Sequence, residues 1–192
     1  MEQKTLVVGG ALLLVGLGAG YMLWGNSPAP VNTHVMPNGS MMSQNIDQHF
    51  IVQMIPHHEG AIEMAKVALE RSKRPEVISL ANGIIEAQEK EIADMRSWYE
   101  SWFNSTLPTG GMGMMHMDGM TGDLTVLKSK SGVDFDREFV EQMIPHHEMA
   151  VMMAEMLQSS TERSEMKQLA GNIILSQSRE ITMMREWLKS WD

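Results

Sequence analysis

The sequence predicts an all-α fold: a ferritin-like four-helix bundle built from two repeated antiparallel hairpins with a long central crossover. Three observations carry this expectation. The string Met-Ile-Pro-His-His-Glu occurs twice, at residues 54–59 and 143–148. An offset of 89 residues aligns 47–103 with 136–192 without a gap, and 26 of the 57 aligned pairs are identical. Identity at that level marks two copies of one structural unit. Within each copy, apolar residues recur at alternating spacings of three and four, the signature of one buried helix face.

The first 25 residues stand apart from the repeats. Glu2 and Lys4 precede an apolar run from Thr5 to Trp24. A run of about 20 apolar residues can span a bilayer and exceeds an ordinary signal-peptide core. Ser27-Pro28-Ala29 has the small-residue pattern of a cleavage site, but Pro30 follows and obstructs it. The expectation is an export signal or an uncleaved transmembrane anchor, and this segment is the chain's only expected membrane contact. Residues 26–45 contain Pro28, Pro30, Pro37 and Gly39 and read as a disordered linker. The bundle domain is expected over 46–192.

The first helix is predicted over 47–71, with Phe50, Met54, His57, Ala61, Met64 and Ala68 on one face. Ser72-Lys73-Arg74 forms a turn, and Pro75 suits the opening of the next helix, predicted over 76–103. Its inner stripe is Ile84, Gln88, Glu91, Met95, Trp98 and Trp102. Residues 104–133 break the period. The hairpin then recurs, with helices predicted over 134–159 and 164–191. Phe139, Met143, His146, Ala150, Met153 and Leu157 mark the third stripe; Ile173, Gln177, Glu180, Met184, Trp187 and Trp191 mark the fourth. Neither hairpin can bury its stripe alone, so the two must pack together.

Composition narrows the chemistry. The chain has no cysteine, which excludes disulfides and thiolate metal sites. It has 21 methionines in 192 residues and a net charge of −9. The acidic balance argues against nucleic acid and favours cationic ligands. His57 and His146 lie on the inner stripes, while His58 and His147 lie about 100° further round the helix. Each pair follows a mid-helix proline, Pro56 or Pro145, which removes one backbone hydrogen bond and distorts the helix locally. A lone histidine in this setting is usually a satisfied core residue; two duplicated pairs beside methionines favour ligation. Met54, Met64, Met143 and Met153 stand at core spacing, where packing and ligation compete as explanations.

The central segment differs. Met112, Met114, Met115, His116, Met117 and Met120 crowd a glycine-rich stretch with no helical stripe to complete. Soft thioether and imidazole donors select Cu(I), and by the same softness Ag(I). Thioethers form no disulfides and so suit an oxidising compartment. His34, Met36, Met41 and Met42 make a thinner version near the N-terminus. Glu91 and Glu180 occupy stripe positions, where a buried carboxylate needs a partner: an imidazole, an indole N–H, or Arg96 and Arg185. Glu59 and Glu148 are expected to face solvent.

Several enzyme signatures are missing. No Glu-x-x-His pair supports a di-iron site, and His-Glu-x-x-His is absent. There is no G-x-S-x-G, phosphate loop or dinucleotide fingerprint. The twice-repeated M-I-P-H-H-E, each followed by a Met/Ala-rich helix, resembles the bacterial family known as domain of unknown function 305, which is ferritin-like. The whole chain, with its apolar N-terminus and methionine-rich middle, is similar to copper-binding members of that family. The resemblance implies periplasmic copper binding and copper resistance. The residues themselves favour a buffer or carrier of Cu(I), and also of Cu(II), without catalytic turnover, with a copper exporter or sensor as partner. It supports Met54, His57, His58, Met143, His146 and His147 as motif positions without saying which bind metal. The alternatives are a metal-dependent oxidoreductase such as a cuprous oxidase, and a helical protein-interaction module with structural histidines.

Overall fold

The computed structural model describes residues 39–108 and 122–191, and all its regular structure is helical. The elements are α1 (Gly39–Arg71), α2 (Pro75–Phe103), α3 (Leu124–Ser129), α4 (Gly132–Ser160) and α5 (Ser164–Ser190). Four of these match the expected helices. α1 begins eight residues before the expected 47, within the stretch read as linker. Pro37 is the last proline before α1, and nothing from Ser40 to Asn45 resists helix. α3 is an unanticipated turn of helix inside the crossover. The Asp123 side chain caps it, accepting from the backbone N–H of Thr125 and of Val126 at 2.9 Å, and Leu127 anchors it in the core. The N-terminal apolar run and the methionine segment 112–120 lie outside the described residues. No helix among the described residues is long and apolar enough to cross a membrane.

Local chemistry sets the remaining boundaries. Pro75 opens α2 at a position whose N–H has no helical partner. Asn104 ends it in the left-handed region, φ 45°, a conformation asparagine tolerates better than most residues. Pro56 and Pro145 sit inside α1 and α4 without ending either helix. Tertiary packing outweighs the lost backbone bond at both.

α1 pairs with α2, α4 pairs with α5, and α1 packs on α4, with α3 touching both. The interior divides into two apolar cores. One joins Ala61, Ala65, Ala68, Val77, Leu80, Ala81 and Ile84 of the first repeat to Phe139, Val140, Met143 and Met184 of the second. The other joins Ala150, Ala154, Leu157, Met166, Leu169, Ala170 and Ile173 to Phe50, Ile51, Met54 and Met95. The second set is the first shifted by the 89-residue repeat. The two cores are therefore related by a pseudo-twofold, and the repeats exchange ends along α1 and α4, which run antiparallel.

Each end of the bundle carries a matching clamp. Ser72 donates to Asp136 at 2.5 Å, Arg74 Nε donates to Asp136 at 3.1 Å, and the guanidinium lies 4.4 Å from the Trp191 ring. At the other end Arg163 Nε stands 3.3 Å from Asp47, and its guanidinium 4.1 Å from the Trp102 ring. Asp47 is fully buried and Arg163 partly exposed. Arg163→Ala is expected to cost about 2 kcal/mol, because it strands a buried carboxylate whose former partner was only partly desolvated. Urea unfolding at pH 7 measures this. A loss below about 0.5 kcal/mol, the range of ordinary surface changes, would show that the clamp contributes nothing.

Candidate metal centre

Between the two cores lies a polar layer. The α1–α4 contact brings His57 and His146 together across the pseudo-twofold, with ring centroids 3.7 Å apart and planes inclined by 41°. His58 and His147 flank them, each about 6 Å from the ring preceding it in sequence (6.3 and 6.2 Å). All four imidazoles are buried. His58 and His147 lie deeper than their offset from the inner stripe suggested. The inner face of a bundle helix is wide enough to take in both residues, and α2 and α5 cover that side.

The outer pair is oriented by carboxylates. His58 Nε2 lies 2.7 Å from Glu91, and His147 Nε2 lies 2.6 Å from Glu180. The imidazole is thus the partner of each stripe glutamate. A proton on Nε2 shared with the carboxylate leaves Nδ1 as a lone pair, the arrangement by which a glutamate orients a metal-binding histidine. Arg96 and Arg185 pair instead with the exposed Glu59 and Glu148. Gln88 and Gln177, one turn before the glutamates, are also buried.

The layer holds many unpaired polar atoms. Neither ring nitrogen of His57 or His146 makes a well-formed hydrogen bond, although each ring faces the backbone of the other residue. Nδ1 of His58 and of His147, and the side-chain oxygens of Gln88 and Gln177, likewise make none. Such groups are costly to bury. Burial, reinforced by repulsion from the neighbouring imidazoles, pushes His57 down to about 3 and His146 down to about 2. Both are neutral at any physiological pH, the protonation state that can donate a lone pair to a metal. The donor set therefore fits a soft monovalent ion served by neutral nitrogen and sulfur. No three His, Asp or Glu side chains among the described residues cluster as a metal site by themselves.

The other sequence candidates divide. Met54 and Met143 are fully buried, one turn before the histidine pairs, each closing one core. Met64 is fully buried two turns beyond His57 on the same face. Gly122 roofs it: a Cβ there would run into Met64 Sδ, and its φ of +67° suits glycine. Met153, the repeat equivalent of Met64, is only half-buried, so the repeats differ here. Met112, Met114, Met115, His116, Met117 and Met120 lie outside the described residues. Sequence reasoning passed over the end clamps. Ser72/Thr161, Arg74/Arg163 and Asp47/Asp136 are repeat-equivalent pairs, a signal available in the alignment.

The family model described as "Domain of unknown function (DUF305)" matches residues 47–188. The solved structure of CopM in its Cu(II)-bound form is 48% identical and covers 76% of this chain and 97% of that one, with a TM-score of 0.70. CopM structures in Cu(I)-bound and Ag-bound forms are similar at 46% identity, with TM-scores of 0.67 and 0.66. A fragment from this family in Deinococcus radiodurans is 28% identical over 76% of this chain and 96% of that one, with a TM-score of 0.62. An uncharacterised protein of Acanthamoeba polyphaga mimivirus is 37% identical over 62 residues, or 32% of this chain, and the match spans only 40% of that protein's length. The protein belongs to the family of the domain of unknown function 305.

Proposed function

We propose that the protein sequesters or carries copper, chiefly as Cu(I), on imidazole and thioether donors and without catalytic turnover. The observation that carries this reading is the buried His57–His146 contact, whose rings burial keeps neutral and whose nitrogens make no well-formed hydrogen bond. CopM, similar over three-quarters of the chain, has been solved with Cu(I), Cu(II) and Ag, which supports copper as the cargo. His58 and His147, held by Glu91 and Glu180, supply two more nitrogens to the same layer, and the histidine positions also take Cu(II). The N-terminal apolar run supports export to the periplasm, where methionine holds copper without oxidising to disulfide. A copper exporter or sensor then receives the cargo.

Competition against a Cu(I) chelator tests this. Cu(I) and Ag(I) should bind well above Zn(II), and Zn(II) affinity equal to that for Cu(I) would overturn the reading. Replacing Met112, Met114, Met115, Met117 and Met120 with leucine should lower Cu(I) stoichiometry and leave the thermal transition nearly unchanged, because these residues complete no core stripe. Sustained oxidation of Cu(I) under air, above the buffer rate, would instead make the protein an oxidase.

A further inference from the structure

Among the many positions at which the repeats differ, one set gathers methionines on the surface of α4. Gly60, Glu63 and Val67 of α1 correspond, at the repeat offset, to Met149, Met152 and Met156 of α4. With Met153 these residues form a closed figure on the helix. Pairs 149–152 and 153–156 are three apart, and pairs 149–153 and 152–156 are four apart. All four edges are therefore neighbour contacts, with Cβ atoms about 5–6 Å apart. Packing does not account for Met149, Met152 and Met156. Met152 is 53% exposed and Met156 59% exposed, while Met149 and Met153 are half-buried. Only Met153 packs against a core.

We propose that Met149, Met152, Met153 and Met156 form a second, solvent-facing thioether site on α4 that takes a monovalent soft cation, Cu(I) or Ag(I). Methionine has an unbranched, freely rotating side chain, so three or four sulfurs on adjacent turns can turn toward one ion. Thioethers are neutral and soft; they discriminate against hard divalent cations and do not titrate. The chain's net charge of −9 raises the local concentration of any cation. The site also has a place in the fold. Met153 and His146 share the inner face of α4 two turns apart, as Met64 and His57 share that of α1. Met153 is thus half-open on the face it shares with His146, whereas its equivalent Met64 is roofed by Gly122. The proposal shares its choice of cation with the proposed function but not its site.

The test uses the full chain, labelled with 13C at the methionine methyls, and Ag(I) alone as the probe. The variant is M149L/M152L/M156L, with Met153 retained because it packs on a core. Adding Ag(I) should shift the methyl signals of Met152 and Met156 in the wild type. The same signals should shift in H57L/H146L, which lacks the inner imidazoles. The triple variant should bind one equivalent fewer than the wild type, with an unchanged metal-free melting curve. If these methyls stay still while H57L/H146L loses silver, the α4 site fails and the buried layer stands. If they move while H57L/H146L keeps its full silver complement, the α4 site stands and the buried layer fails. A wild type that sediments as a larger species than the triple variant without metal, with unmoved methyls, would make the stripe a self-association surface and overturn the proposal.

Discussion

Replacing His57 and His146 together with leucine should raise the stability of the metal-free protein and abolish its internal copper site. Both rings are buried, and none of their four nitrogens makes a well-formed hydrogen bond, although each ring faces the backbone of the other residue. A buried polar group without a partner costs about 1–3 kcal/mol, whereas an apolar group of similar shape carries no such cost. Leucine is close to histidine in volume, so the repacking penalty stays below about 1.5 kcal/mol. The net gain expected for the pair is about 1–2 kcal/mol, or roughly 2–8 °C in melting temperature for a chain of this size. Alanine at the same positions should lower stability, because it removes the polar atoms and leaves a cavity. Calorimetry of the metal-free variants, paired with Cu(I) competition, separates the two. A lower melting temperature for the leucine pair would show that the imidazoles are satisfied within the fold. Unchanged Cu(I) stoichiometry would show that the layer binds no copper.

Acid should unfold the metal-free protein well before its carboxylates titrate, because His57 and His146 are pushed down to about 3 and about 2 by burial. The unfolded chain takes up a proton at each of these positions near pH 6.5, but the folded chain does not. They therefore add no pH-dependent cost above pH 6.5, and the cost grows as pH falls toward the folded values. Each histidine costs about 1.4 kcal/mol per pH unit within that window. By pH 4.5 the pair removes about 5 kcal/mol, comparable with the whole stability of many domains. Asp47 acts in the opposite direction. Burial raises its carboxyl, so the folded chain takes up that proton first and gains slightly as pH falls. Urea unfolding from pH 8 to pH 4.5 measures the balance. A flat profile between 6.5 and 4.5 would refute the shifts, and H57L/H146L should flatten it.

The repeat made much of the architecture legible. Two copies of a 57-residue unit with matched stripes require a shared interior, because a lone amphipathic hairpin leaves its apolar face in water. Helix ends with local chemistry were legible too: Pro75 opens α2 within one residue of the expected start. α1 was harder to bound. Propensity alone did not exclude helix before residue 47, and no single residue marked the start. α3 was not legible, because its six residues are held by one cap and by Leu127, a contact made only once the crossover has folded back on α1 and α4.

The sequence by itself determined which residues repeat, and therefore that any site built from the His-His pairs would be doubled. Periodicity put His57 and His146 on inner faces but could not bring them to 3.7 Å of one another. That depends on α1 and α4 running antiparallel and crossing at the motif, which fixes the pseudo-twofold between the two rings. The spacing left Glu91 and Glu180 with several possible partners; tertiary structure chose the imidazoles, because α2 and α5 place those carboxylates beside His58 and His147. Methionine spacing could not separate core from surface either. Met153 and Met64 occupy the same repeat position, yet Gly122 lies over Met64 while Met153 is half-open. A helical period records which face a residue is on, and burial depends on what the rest of the chain lays over that face.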